Sequence, residues 1–366
     1  MIIAAGHVCL DVLPEIGSDA RIAPGVLDEV GPAAFSVGGA VGNVTGTLRR
    51  LGLDVRPVGR IGRDPFGDIV QDLLGPGGGA LERADTGATS YSLVIHRPGE
   101  DRAFLHHPGT NHDFHGDTLR AAIRRLDPGP GDLLHFGYPP IMRATFADGG
   151  RALADAFLDA AERGTLVSLD MATPDPSGPA AAVDWQAFLA LVLPAVPLFA
   201  PSWSDLSLLL PDLPAAATTD AVRTTAARLL EMGAGATLLK LGSGGAYLRS
   251  GHDPRLPDGW HGRELWSPNF VVEARGTTGA GDATIAGLLA GMARGEDAAR
   301  ALTLASATGA ASVASRDGSS AVPTLGDLSA RIADGWPRAA APLAEGRPDS
   351  ATGLIHGSED GRGARS

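Results

Sequence analysis

Asn269–Gly295, NFVVEARGTTGAGDATIAGLLAGMARG, carries an apolar run into a glycine-rich turn that opens a helix. Gly279, Ala280 and Gly281 are small enough to let an anion approach. Their backbone N–H groups can converge at the helix N-terminus, where the helix dipole adds positive potential. Asp282 follows in the first turn. A carboxylate repels a phosphate that is merely held; beside a reacting phosphoryl group it makes sense as the base that takes a proton from an attacking hydroxyl. The same residues also read as an ordinary capped turn, because Asp is a frequent helix cap. On GAGD alone the two readings stand level. The adjoining Thr277 and Thr278 and a second motif favour chemistry.

The second motif is Val37–Gly67, VGGAVGNVTGTLRRLGLDVRPVGRIGRDPFG. Gly38 and Gly39 permit a close approach, and Asn43 lies one turn into the helix that follows. Its amide both donates and accepts, which suits a polyol hydroxyl, although a capping role fits the same position. Gly62, Asp64, Phe66 and Gly67 form a turn into another helix, and taken alone they read as a capped turn.

Strand and helix patterns alternate around these motifs. Ile2–Ala5, Asp132–Phe136, Leu166–Asp170, Pro197–Ala200 and Ala236–Leu241 read as strands. Ala40–Leu51, Phe66–Leu74, Arg151–Arg163, Thr219–Met232, Asp282–Arg294 and Asp297–Ser315 read as helices. This order predicts a largely parallel sheet covered on both faces. Val12–Ser36 and Thr89–Phe104 break the rhythm. SYSLVIHR and RAFLHH, separated by Pro98-Gly99, predict a hairpin in a small β appendage. The segment after Trp336 has no apolar period and is expected to be disordered.

The chain has 366 residues, a net charge of −12 and a single lysine, Lys240, among its 30 basic residues. No basic stripe stands out, so a nucleic-acid partner is not expected. One cysteine, Cys9, excludes an internal disulfide framework and any Cys-based structural zinc site. It reads as a small buried residue of the first strand. A reducing cytoplasm fits. MIIAAGHVCLDVL lacks a cationic leader region, and Phe188–Ala200, the longest apolar stretch, is broken by Pro194 and Pro197, so no membrane span is expected. The chain has no GxGxxG opening a helix, no GxxxxGK[ST] and no GxSxG, which disfavours nicotinamide-dependent, P-loop and α/β-hydrolase chemistry. His106, His107, His112 and His115, near Asp113, are irregularly spaced; a solvated or substrate-facing loop is the plainer reading than a metal cluster.

TTGAGDATIAGLLAG, together with the GG-plus-Asn helix and GRDPFG, resembles the ribokinase-like, or PfkB, sugar kinases over roughly residues 1–330. The resemblance implies a doubly wound α/β domain over 1–335, lid segments at 12–36 and 87–107, and a tail at 336–366. It implies ATP- and Mg²⁺-dependent phosphorylation of a sugar or related polyol. By position, Asp282 matches the catalytic base and Gly279, Ala280 and Gly281 the anion hole. Asp11, Gly39, Asn43 and Tyr138 match substrate contacts. Gly242 and Gly245 match the turn beneath the nucleotide, with Thr278, Ser202 and Lys240 as further nucleotide-side candidates. For Lys240, neutralising a phosphate and reaching solvent remain equal alternatives. The family's Asn-x-x-Glu, which organises Mg²⁺, is replaced here by Ser202 and Asp205. The Asp usual before the two threonines is Gly276, which leaves a monovalent-cation site open. A nucleoside is the main rival acceptor. A non-catalytic sugar- or nucleotide-binding protein is the rival from another class. A homodimer formed through the lids is expected from their exposed sheet edge.

Overall fold

The computed structural model describes residues 1–21, 23–75, 81–97, 102–315 and 319–361. The chain opens with β1 (Ile2–Gly6), then leaves the body through β2 (Cys9–Pro14) and β3 (Ala33–Gly38) before α1 (Gly39–Arg50) brings it back to β4 (Val55–Val58). β5 (Arg60–Ile61), α2 (Pro65–Leu74) and β6 (Glu82–Arg83) lead to β7 (Tyr91–Ile95) and β8 (Ala103–His107). Alternation then takes over: α3 (Gly116–Leu126), β9 (Leu133–Gly137), α4 (Arg151–Glu162), β10 (Leu166–Leu169), α5 (Trp185–Val192), β11 (Leu198–Phe199), α6 (Trp203–Leu209), α7 (Thr219–Glu231), β12 (Ala236–Lys240). β13 (Ala246–Ser250), β14 (Glu264–Ser267), α8 (Ala280–Ala293), α9 (Ala298–Ser312), α10 (Leu325–Ala333), β15 (Arg347–Pro348) and β16 (Ile355–His356) complete the chain.

The main sheet runs β15-β16-β14-β13-β12-β11-β10-β9-β1-β4. It is parallel from β4 through β12 and antiparallel beyond. β1 and β9 are buried along their whole length, which is why neither alternates between apolar and polar residues; β9 is apolar apart from the buried His135. Among the described residues no helix is long and apolar enough to cross a membrane.

β3-β2-β7-β8 form a separate four-stranded sheet, the lid; β7 and β8 fall inside 87–107, whereas β2 and β3 overrun 12–36, reaching from Cys9 to Gly38. The Pro98-Gly99 turn lies outside the described residues, but the strands on either side of it pair antiparallel. Cys9 opens β2 of the lid rather than belonging to the first strand. Ser36, Asp11, Ser92 and His106 share one cross-strand row, and Phe35, Val12, Leu93 and Leu105 share the next. Neighbouring rows point to opposite faces, so the lid has a polar and an apolar face. Asp64 behaves as the cap its local sequence suggested. Its carboxylate accepts from Gly67 N at 2.8 Å and from Thr89 N at 2.6 Å, tying α2 to the start of β7.

As far as Gly361 the tail packs against the body, contrary to the compositional expectation. β15 and β16 extend the main sheet beside β14. Glu264, almost fully buried, accepts from Arg223 Nε at 2.7 Å, Tyr247 Oη at 3.1 Å and Glu359 N at 2.8 Å. Arg263 meets Asp360 at 2.9 Å, and Arg338 donates to Thr352 O at 2.9 Å. These are single polar anchors between distant residues and leave no periodic trace in sequence. Leu354, fully buried in the core on the α8–α9 side of the sheet, is the main apolar anchor. Leu354→Ala is expected to lower unfolding free energy by about 2–5 kcal/mol, read as a lower urea midpoint with unchanged slope. An unchanged midpoint would mean that the tail does not pack.

Candidate active site

The carboxyl ends of β1, β9, β10 and β12 deliver His7, Tyr138, Asp170 and Lys240 to one edge of the sheet. From β1 the chain reaches β4 on one side and β9 on the other. Open α/β sheets bind ligands at such a crevice. Here a cavity of about 640 Å³ lies between that edge and the polar face of the lid, lined by Asp11, Gly39, Asn43, Ser92, Tyr138, Thr278 and Gly279 among others.

Gly39 begins α1 at φ +74°, and a Cβ there would lie 2.6 Å from His7 O. The glycine therefore lets α1 start tight against β1, which places Asn43 at the cavity. Gly279 caps α8 at φ +75° with no side chain of its own to offer the helix amides. The first-turn N–H groups thus lack a side-chain acceptor, the condition for holding an anion.

Asp282 is in the first turn of α8 but is not its cap. It sits against Asn43 and Tyr138, which line the cavity, and is only 1% exposed. Its Oδ2 accepts from Asn43 Nδ2 at 2.8 Å and Tyr138 Oη at 2.6 Å. Its Oδ1 is buried without a partner. Burial pushes the carboxyl above its ordinary range; Lys240, Tyr138 and Asn43 pull it back. Tyr138 reaches this position from a left-handed conformation, φ 72°, which is costly for a bulky residue and has an evident use here. Burial and the neighbouring Asp282 raise its own phenol pKa, so it stays a donor.

Lys240 neither reaches solvent nor stands free for a phosphate. Its Nζ donates to both carboxylate oxygens of Asp170 at 2.9 Å, with both residues buried. It still adds positive charge beside the helix terminus, since a Cβ on Gly281 would lie 3.4 Å from Nζ. Burial drives Asp170 upward against the pull of Lys240. The sequence marks Asp170 only as the end of the strand Leu166–Asp170. The one available signal was a carboxylate closing an apolar run, LVSLD, as in VCLD before it.

Ser202 caps α6, with Asp205 N donating to its Oγ at 3.1 Å while its hydroxyl donates to the Asp205 carboxylate. Thr173 Oγ1 donates to the other Asp205 oxygen at 2.9 Å. Ser202 and Asp205 are half-buried and Thr173 is exposed; the three offer oxygen donors only, the kind Mg²⁺ takes directly or through water, and so fit that ion. Gly242 and Gly245 form the turn after β12, outside the cavity lining. Asp11, across the cavity on β2, has its carboxyl pushed up to about 6, chiefly by burial; Cys9 and Ser92 donate to it and Arg102 lies near, all favouring the charged form. The site residues His7 and Ser92 were not singled out from sequence; neither lies in a motif, and only the sheet register brings them in.

A model of the pfkB family of carbohydrate kinases matches residues 2–325. Among solved structures, a fructokinase with bound ATP from Xylella fastidiosa aligns at TM-score 0.69 and 20% identity, covering 91% of this chain and 98% of its own. A protein from E. coli described as a ribokinase II, in complex with ATP and Mg²⁺, aligns at 0.66 and 20%, covering 91% and 99%. A nucleoside kinase from Methanocaldococcus jannaschii aligns at 0.63 and 15%, covering 91% and 98%. The fold is thus ribokinase-like.

A carboxyl whose pKa is raised by folding favours the folded state while both states are protonated, and loses that contribution as pH rises from its unfolded to its folded pKa. For Asp11 this window is 3.8 to about 6. The stability of Asp11→Asn relative to the parent is therefore expected to rise by about 2–3 kcal/mol between pH 4 and pH 7 and then level off. Urea titrations of both proteins across that range would read the difference; a gap that does not change with pH would contradict it.

Proposed function

Because the chain belongs to the pfkB family of carbohydrate kinases, we propose that it transfers the γ-phosphoryl group of ATP to a sugar hydroxyl bound between the sheet edge and the lid. The observation that carries this reading is the unpartnered, buried Oδ1 of Asp282, beside a helix N-terminus that has no capping side chain. Asn43 and Tyr138 hold Oδ2, leaving Oδ1 as the atom able to accept a proton. The acceptor hydroxyl loses its proton to Oδ1 as it attacks the γ-phosphorus, while the amides of Gly279, Ala280 and Gly281 take up the developing charge. Asp11 on the lid and Asn43 on the body orient the acceptor, and the lid excludes water that would otherwise compete for the phosphoryl group.

Mg²⁺, when bound with the nucleotide, screens the phosphate charge, and Asp205 is the group we assign to hold it through water. Lys240, fixed by Asp170, supplies a stationary positive charge and helps keep Asp282 ionisable. Gly242, Gly245 and Thr278 remain our candidates for the nucleotide side. A nucleoside acceptor is the second reading; the fold match to a nucleoside kinase accompanies it, and its ribose presents the same hydroxyls.

ADP release with MgATP over a panel of pentoses, hexoses, keto-sugars, inositols and nucleosides tests the proposal. Release is expected to depend on one acceptor class and to fall by about 10²–10⁴ in Asp282→Asn. Ligand-induced thermal shifts without turnover would leave a binding protein instead. The acid limb of kcat/KM is expected above the ordinary carboxylate range, because burial raises the base. Tyr138→Phe removes a hydrogen bond to the charged form and is expected to move that limb further up; an unmoved limb would assign it to another group.

We also propose that a second copy of the chain covers the apolar face of the lid, where Phe35 and Leu105 are exposed. Sedimentation velocity is expected to show a dimer that Leu105→Glu dissociates; equal sedimentation of both proteins would reject this face as the contact.

A further inference from the structure

We propose that His7, Cys9 and His106 form a binding site for a divalent ion of the zinc class, set in the wall of the acceptor cavity. His7 follows β1 of the main sheet, Cys9 opens β2, and His106 lies on β8 of the lid. Their ligand atoms all lie within 4.8 Å of one another, the one such group among the described residues. The Nε2 atoms of the two histidines are 3.3 Å apart. Tetrahedral zinc with Zn–N bonds of about 2.0–2.1 Å separates two nitrogen ligands by about 3.3–3.4 Å. The rings therefore stand at the spacing of two ligands on one ion. Without an ion, two neutral imidazoles hydrogen-bond at a similar length and the thiol donates to Asp11 Oδ1 at 3.4 Å; an ion replaces both contacts with one centre that all three ligands face.

The donor set selects the metal. Two imidazoles and a thiol suit zinc and its d-block neighbours, whereas Mg²⁺ and Ca²⁺ take oxygen. The surroundings orient the ligands. Ser92 Oγ is 3.0 Å from His106 Nδ1 and 3.7 Å from Cys9 Sγ. A proton on His106 Nδ1 donated to Ser92 leaves Nε2 as a lone pair facing His7. His7 Nδ1 is buried without a hydrogen-bond partner, so Nε2 is the nitrogen through which that ring interacts. All three residues line the cavity, which leaves a fourth position for water or an oxygen of a bound molecule. The thiol binds as thiolate, and its proton leaves to solvent. A bound ion would tie the lid to the body and occupy space otherwise open to an acceptor. The site does not depend on the kinase reading, because its occupancy is read directly.

The test uses the full chain, reduced with a non-chelating phosphine and stripped of metal. Zn²⁺ is titrated against a chromophoric chelator, and Co²⁺ serves as the spectroscopic probe. One ion per chain is expected, with intense tetrahedral d–d bands, a thiolate-to-cobalt charge-transfer band and release of about one proton per ion. Cys9→Ser is expected to lose the charge-transfer band. His106→Ala, on the lid, is expected to weaken Zn²⁺ binding at least about tenfold, with folding checked by circular dichroism. Absence of stoichiometric binding, a cobalt spectrum without the charge-transfer band, or parental affinity in His106→Ala would each overturn the proposal. Should Cys9→Ser fail to fold, the parent spectrum and His106→Ala decide.

Discussion

A carboxylate kept ionisable where water hardly reaches is the constraint on which this molecule depends. Asp282 is nearly inaccessible, and burial raises its carboxyl pKa and so disfavours the ionised form. Three elements far apart in sequence counter this: α1 through Asn43, the end of β9 through Tyr138, and β12 through Lys240. Each must be placed to within a hydrogen bond. The close start of α1 at Gly39, the left-handed backbone of Tyr138 and the uncapped start of α8 follow from that demand. Their strain is borne by a buried sheet that does not yield.

The same arrangement costs stability. Asp11, Asp170 and Asp282 all have carboxyls raised by burial, so holding any of them ionised near neutrality opposes folding. Packing elsewhere, with apolar cores on both sides of the main sheet, supplies the margin.

Much of the site was legible because its chemistry is local. The glycine turn, Asp282 and Asn43 announce themselves through spacing, and the alternating sheet follows from apolar runs between helical patterns. Other parts depend on register and were not legible. Asp170 matters because β10 and β12 end at the same edge of the sheet, two strands apart. His7 and Ser92 matter because the lid folds back over β1. The expected nucleotide role of Ser202 met a competing local one, since a serine three residues before an aspartate makes a good helix cap. The packed tail escaped notice because Glu264, Arg263 and Arg338 hold it by isolated polar bonds, which have no period. CLDV puts Asp11 between Leu10 and Val12 on alternate faces of the lid, but only pairing shows that Ser92 and His106 stand beside Asp11.

The pairing of Lys240 with Asp170 has a consequence for chemical probing. The chain holds one lysine, so one side-chain amine in the whole protein can be acylated, and it is buried at the site with its ammonium shared between two carboxylate oxygens. An amine-directed reagent therefore finds almost nothing on the surface to label. Its slow reaction at Lys240 acts as a clock on how often the Asp170 contact opens, a signal that lysine-rich proteins bury under dozens of faster modifications.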